Sequence, residues 1–536
     1  MKLKRFAVST LVLVGTVLTT SCVRTPTITF WNGFGADMDN HLQSALGRDW
    51  LTPDGYKVGI STKGGYDNLY SAIMDLLSSK GYPNIALAYP DHMANYIMNN
   101  MMQPLDPLID QYASDPENFF DQFDAKYMEE NTSLGVYGPG FPDRVGQKVT
   151  YGIPFNKSTE VFTVNQSFFD YAVTVDDTIT RVPETWTELA TVGAKINDIV
   201  LGNKAVTGGL VGKAVALNGS TYTIGTDKDA AGVVLDFTNT EKDKFRPFGY
   251  DSYANLFITL LYQFGAKYTT QGTKDASRTD PTQVPDVASG SLNFLDVGVY
   301  DKTVEAMSVI TQLIKDNIVG LSTGTWESAN GYCSDAFKKL NLVGTVGSSA
   351  GVTNNVLTKG KTKSYPIPYN GNSATGKQVI SQGTNIVIFN SPKQELVKAS
   401  VEAVERLTTT VNLDFAIKSG YFPVRPVDLK SEEYQSYLED TNLTTVEASR
   451  VSAAQVNFES YKADDSEWSG FVDPGFAGSA AIRLMLSKTV GAIYDTAASF
   501  QPANAKAFFA TAFKKTILNG ELKRFIDTSK LDPAVK

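Results

Sequence analysis

The sequence predicts a two-lobed α/β protein, and three observations carry that prediction. At 536 residues the chain is too long for one ordinary domain, and with 42% hydrophobic and 11% aromatic residues it can bury a large core. Leu69, Ile73 and Leu76 share one helical face, and Gly81-Tyr82-Pro83-Asn84 ends that helix before the apolar strand Ile85-Ala86-Leu87-Ala88-Tyr89, which makes a β-α-β unit. Where two half-chains would meet, Tyr151 to Asn165 joins a turn signal with Gly152 and Pro154 to an alternating run. There Val161, Thr163 and Asn165 oppose Glu160, Phe162 and Val164, so the stretch reads as a hinge leading into a strand.

At the amino terminus, Lys2, Lys4 and Arg5 precede a mostly apolar run from Phe6 to Leu18 that is too short to span a membrane, so residues 1–21 read as a signal peptide. Leu18-Thr19-Thr20-Ser21 sets small residues directly before Cys22 and resembles a lipoprotein cleavage box, in which Cys22 would be acylated and become the first mature residue. Thr19 stands where that box usually has leucine, and the alternative is ordinary cleavage nearby with a free Cys22. No other stretch reaches ~18 consecutive apolar residues, so the mature chain is expected to touch the membrane through its lipid anchor only.

Net charge is 48 minus 57, or −9, without long like-charge runs, so no basic stripe could track nucleic acid. Cys333 is the one cysteine left after Cys22, and one thiol makes no internal disulfide. His41 and His92 stand in no ligand-like spacing, which disfavours zinc and Cys-His catalysis; no metal and no cofactor are expected.

After a short tether, Thr27-Ile28-Thr29-Phe30-Trp31 is a first strand, broken at once by Asn32-Gly33-Phe34-Gly35, with a helix through Leu46. Gly65-Tyr66-Asp67 opens the helix of the β-α-β unit, and because ligands gather at the carboxyl ends of such strands, Tyr66, Tyr89 and Asp91 lie where a cleft would be. Thr185-Trp186-Thr187-Glu188 has capping-box spacing and starts a helix through Leu189, Val192 and Ile196. Asn218-Gly219 marks a hairpin. Gly208 to Ala214 looks phosphate-friendly, yet Thr207 stands where a P-loop needs glycine and Ala214 where it needs Ser or Thr, so nucleotide binding is rejected. Gly249-Tyr250-Asp251-Ser252 precedes a helix carrying Leu256, Leu260 and Leu261, which aims Tyr250 and Asp251 towards the same cleft unless Asp251 is only a cap. Asp301 to Ile318 is an amphipathic helix, and Ser391-Pro392-Lys393-Gln394 starts another.

In order along the chain, several phrases resemble the extracellular solute-binding proteins of bacterial ABC transporters, notably the sugar and glycerol-3-phosphate binders. They are the strand ending in Phe30-Trp31, the crossing Tyr151 to Asn165, the Pro-x-Thr-Trp-x-Glu-Leu of Pro183 to Leu189, the return strand Leu342 to Gly351, the second crossing Ser381 to Ile388, Ser419-Gly420-Tyr421-Phe422-Pro423-Val424, and Ala481-Ile482-Arg483-Leu484. The resemblance runs from Thr27 to Ile526, with weaker stretches at 199–245, 266–296 and 436–475.

What it implies is a periplasmic-binding-protein-like fold of type II, each lobe a sheet flanked by helices. Lobe 1 would comprise 22–154 and 347–390, lobe 2 155–346 and 391–536, with crossings near residues 154, 346 and 390. By the same resemblance Trp31 is a ligand platform at the lip of the cleft, and Ser158, Ser348, Ser349, Gln382 and Gly383 face the ligand from the crossings. Tyr421 and Arg483 would close onto it from the second lobe, against Tyr66 and Ser349 of the first. The protein would be a monomer on the outer face of the cell membrane that hands its solute to a permease with its ATPase.

One departure bears on the solute: the glycerol-phosphate binders have Tyr-Glu at the end of the second strand, and here Tyr89 is followed by Pro90, with Asp91 one place late. The five aromatics Trp31, Tyr66, Tyr89, Tyr250 and Tyr421 offer flat faces with polar tips, which favours a neutral mono- or oligosaccharide over a glycerophospho compound. Two rival readings are a glycoside hydrolase, for which no local motif places a carboxylate pair, and a surface lipoprotein that kept the binding fold without transport.

Overall fold

The computed structural model describes residues 25–202, 208–272, 283–284, 287–329, 331–462, 466–518 and 520–536. The expected signal peptide and Cys22 lie outside the described residues.

Among the described residues, ten strands form one curled sheet that runs through both lobes. They are β1 (Thr27–Asn32), β2 (Lys57–Thr62), β3 (Ile85–Ala88), β4 (Ile153–Asn165), β5 (Phe248–Tyr250), β6 (Val319–Leu321), β7 (Gly344–Ser348), β8 (Thr362–Tyr365), β9 (Gln378–Ile388) and β10 (Ser469–Phe471). Their order is β6-β5-β7-β4-β9-β3-β1-β2, with β8 on β4 and β10 on β9. β1 runs parallel to β2 and β3, as a β-α-β connection demands, and β5 parallel to β6 and β7, whereas β4 and β9 lie antiparallel to each other.

Two hydrophobic cores flank the middle of this sheet, and β4 and β9 each feed both. Ile153 and Phe155 of β4 belong to the first core and Val161, Phe162 and Val164 to the second; Val379 and Ile380 of β9 belong to the second and Ile386, Val387 and Ile388 to the first. The chain therefore changes lobes inside these strands, over residues 156–160 and 381–385.

This packing differs from the lobe boundaries expected from sequence. Helices α7 (Gln394–Thr409) and α8 (Asn412–Ser419) contribute Val397 to Phe415 to the first core, although 391–536 was expected in lobe 2. Val352, Leu357 and Ile367 join the second core, although 347–390 was expected in lobe 1. The reason is β9, which leaves the second core only after Ile380 and delivers the residues up to Val424 to the first, before the chain returns to the second core from Ala453 onwards. The change near residue 346 is no crossing, because β7 lies wholly between β4 and β5 on the second-lobe side.

Local chemistry follows the expected rules with one variation. Thr185 caps α5 (Trp186–Leu201) by accepting from Glu188 N at 3.1 Å, but the Glu188 carboxylate reaches Glu184 N at 2.8 Å instead of the capping residue's own N–H. The lobes also touch away from the crossings: Lys462 pairs with Asp124 at 2.8 Å, Gln271 Nε2 donates to Ser133 O at 3.1 Å, and Gln283–Val284 pairs antiparallel with Val136–Tyr137. Among the described residues no helix is long and apolar enough to cross a membrane.

Candidate ligand cleft

Between the lobes lies a cavity of about 560 Å³, lined from the first lobe by Asp67, Tyr70, Tyr89 and Asp91, from β9 by Gln382 and Gly383, and from the second lobe by Ser252, Tyr268, Asp473 and Arg483. Tyr89 stands at the carboxyl end of a strand and Asp67 and Asp91 in the first turn of the helix that follows one, with Tyr70 in the next turn after Asp67. Helix α2 (Tyr66–Met74) starts at Gly65, whose φ of 116° suits glycine, and α3 (Pro90–Met98) starts on Pro90, which has no N–H to leave unsatisfied.

Behind the first-lobe wall the aromatic groups pack on one another. The Tyr66 and Tyr89 rings meet edge to face at 5.0 Å, Tyr421 stacks on Phe415 at 6.0 Å, and Phe34 touches both Tyr66 and Tyr421. The Tyr66 and Tyr421 hydroxyls are 3.1 Å apart, and Asn156 Nδ2 donates to Tyr66 at 2.9 Å. Burial raises all three phenols above their ordinary pKa, so they stay neutral and act as donors. Asp91 is half-buried and accepts from His92 N at 2.8 Å, while the His92 ring stacks on Tyr70 at 4.7 Å.

The second-lobe wall is a polar relay. Arg483, early in helix α9 (Ser479–Thr496), pairs with Asp473 and donates to Asn255 Oδ1. Asn255 in turn donates to Glu160 of β4 at 2.8 Å, and Tyr250 donates to the other Glu160 oxygen. Burial pushes Glu160 up to about 7 despite these donors and nearby Arg483, and it raises Asp473 although Arg483 opposes the shift.

The cavity thus gathers Tyr89, Asp91, Gln382, Gly383 and Arg483 from the residues singled out in the sequence, with Tyr66 and Tyr421 packed behind Tyr89. Tyr421 belongs with the first core beside Tyr66, not on the opposite lobe. The others are occupied elsewhere. Trp31 is half-buried with the Lys63 ammonium 3.6 Å from its ring centroid. Tyr250 is buried on Glu160, and Asp251 accepts from Cys333 N at 2.8 Å, its carboxyl pushed up by burial to about 6. Ser348 accepts from Ala350 N, and Ser349 sits on the second-lobe side, accepting from Thr159 N. Ser158 lines an adjoining cavity of about 550 Å³.

Sequence reasoning missed Asp67, Tyr70, Tyr268 and Asp473. Tyr70 follows Tyr66 by four residues and so shares its helix face, a signal that periodicity offers. Asp473 carries no local signal, because only the fold brings it to Arg483. Cys333 is buried, and its thiol is raised by burial and by Asp251. Among the described residues no cluster of three His, Cys, Asp or Glu side chains could hold a metal.

The model of a family described as bacterial extracellular solute-binding protein matches residues 52–444. No curated protein sequence is a significant match. Among solved structures, the GacH receptor of Streptomyces glaucescens, studied unliganded and with acarbose, is similar at a TM-score of 0.59 and 14% identity, over 92% of this chain and 98% of that one. UgpB from Mycobacterium tuberculosis, in complex with glycerophosphocholine, gives 0.59 and 14% over 92% and 97% of the two chains. Maltose-bound T. maritima MalE3 gives 0.57 and 14% over 91% and 99%.

Proposed function

Because the chain belongs to the bacterial extracellular solute-binding proteins, we propose that it captures a neutral carbohydrate in the inter-lobe cleft and delivers it to the permease of an ABC importer. Membership in a binding family, and not in one of hydrolases, sets aside the glycosidase reading. The observation that carries the choice of ligand is the charge of the cavity wall. Asp67, Asp91, Glu130 and Asp473 line it, and Arg483, the only Lys or Arg lining it among the described residues, is already engaged by Asp473 and Asn255. An anion would meet this wall with no free cation to receive it, whereas sugar hydroxyls can donate to the carboxylates while a ring face rests on Tyr89. Acarbose and maltose are the ligands of two of the similar structures, and glycerophosphocholine that of the third.

Ligand contacts to both lobes would stabilise a closed form through bending at the crossings, and that form would dock on the permease as a monomer. Acylated Cys22 would hold it to the outer face of the membrane. A thermal-shift screen of neutral sugars against glycerol phosphate and glycerophosphodiesters tests the ligand class, since a ligand at ~100 times its Kd adds ~2.7 kcal/mol of stability. Stabilisation by the phosphate set alone would overturn the carbohydrate reading and leave solute binding intact. For the anchor, Cys22→Ser is expected to release the protein from membranes, and unchanged association would refute acylation at that position.

A further inference from the structure

Arg483 lines the cleft with its side chain 30% exposed, and its two terminal nitrogens are held by different elements. One pairs with Asp473, in the segment before α9, and the other donates to Asn255 Oδ1, on the helix Tyr253–Gln263. A long side chain tied to one partner swings about it, whereas two partners fix both the position and the plane of a guanidinium. The N–H groups not spent on Asp473 and Asn255 are what Arg483 offers to the cavity.

Asn255 and Glu160 stand behind this wall, 4% and 1% exposed, and neither lines the cavity. An amide has two unlike faces, and Glu160 decides which of them meets Arg483. Its carboxylate only accepts, so it takes the Asn255 Nδ2–H at 2.8 Å and leaves Oδ1 for the guanidinium. With no acceptor in that place the amide is free to turn over and set its NH2 group against Arg483, donor against donor. The carboxylate is itself held from the far side: Tyr250 donates to its other oxygen, and the Tyr461 hydroxyl donates to Glu160 O at 3.2 Å.

We propose that Glu160 and Asn255 are positioning residues of the ligand cleft, which set, without touching the solute, the orientation in which Arg483 presents its remaining N–H groups. Glu160 lies in the stretch of β4 where the chain changes lobes, so the crossing and the second-lobe wall form one hydrogen-bonded unit. A guanidinium oriented in advance has less freedom to lose when a solute arrives. The inference rests on the cleft as the solute site and not on the class of the solute.

The test is NMR of the whole mature protein carrying isotope-labelled arginine, and it needs no ligand. The Arg483 guanidinium, identified by its loss in Arg483→Lys, is expected to show separate Nη signals, the mark of a group that does not rotate about its Cζ–Nε bond. Glu160→Leu and Asn255→Leu are expected to merge them. Glu160→Gln, which still offers Asn255 an oxygen, is expected to keep them apart. In the wild type the Nη shifts are also expected to titrate with a midpoint of about 7, where burial places the Glu160 carboxyl. The signals stay separate through that titration, because the Tyr250 hydroxyl turns to accept the carboxyl proton while the other oxygen still serves Asn255. The titratable and charged groups facing Glu160 are Tyr250, Asp251, Arg483 and Tyr461, and Asp251 is raised to about 6, so the Glu160 midpoint is read as the part of the titration that vanishes in Glu160→Gln. Merged signals in the wild type, separate signals in folded Asn255→Leu, or an unchanged titration in Glu160→Gln would overturn the proposal. If the leucine variants do not fold, the titrations of the wild type and Glu160→Gln decide it. A failed carbohydrate reading leaves these spectra as they are and shows only in the thermal-shift screen.

Discussion

The two strands that join the lobes do the same topological work by opposite means. All thirteen residues of β4 are buried, and it carries two charged side chains into the interior: Lys157, paired with Glu130, and Glu160, under Tyr250 and Asn255. β9 holds its place by omission. Gly383 has φ of 103°, and a Cβ there would lie 2.0 Å from Asn156 O; the ladder to β4 then shifts register between Thr384 and Asn385. One crossing is fixed by buried charge and the other by a missing side chain next to a bulge. The difference lies in the means: β4 is pinned by buried polar groups, whereas β9 passes between the lobes at an irregular step next to Gly383.

The comparison breaks most sharply at Glu130. Glu130→Ala strands a fully buried ammonium that burial and Lys462 already hold well below its ordinary pKa, and a loss of ~3–5 kcal/mol in urea unfolding is expected. A change below 1 kcal/mol would show that β4 is not pinned by this pair.

Glu160 gives the next effect, through pH. Its carboxyl is raised from 4.5 to about 7 in the fold, so its contribution is fully present below pH 4.5 and is lost as pH rises through about 7. The groups facing it are Tyr250, Asn255, Arg483 and Asp251, and Asp251, raised to about 6, acts in the same direction. Glu160→Gln should therefore flatten the stability profile between pH 4.5 and 7 by roughly 3 kcal/mol, read from unfolding midpoints across that range. An unaltered slope in the variant would contradict it.

On the other crossing, Gly383→Ala is expected to cost ~1–3 kcal/mol through its positive φ and the approach to Asn156 O, with the loss read from thermal unfolding. The smallest effect is behind the cavity wall: Tyr421→Phe removes one hydroxyl contact to Tyr66 and should cost ~1 kcal/mol of stability, read from thermal unfolding.

Much of this architecture is legible in the chain. The β-α-β start, the turn-and-alternation of Tyr151 to Asn165 and the Thr185 cap are local signals, and each appears where the residues put it. Tyr89, Asp91 and Arg483 reach one cavity because strand ends and helix starts are local features too. The lobe membership of residues 391–424 was not legible, because it depends on how far β9 runs before it changes cores, and an apolar strand looks alike on either side. Ser349 and Tyr250 misled for a related reason: the sequence shows a serine or tyrosine at a strand end, while the Thr159 amide and the Glu160 carboxylate that occupy them come from another strand. Asp473 gave no sign at all, since its meaning lies in its meeting with Arg483.

The interleaving of β9 with β3 sets an order of events. Ala86 and Leu87 lie beside Val387 and Ile386, so the sheet of the amino-terminal lobe stays open until a strand three hundred residues later has been made. Contacts so far apart form slowly, and the helices that finish that core, Val397 to Phe415, come later still. The first lobe therefore cannot lock until the last quarter of the chain has been made.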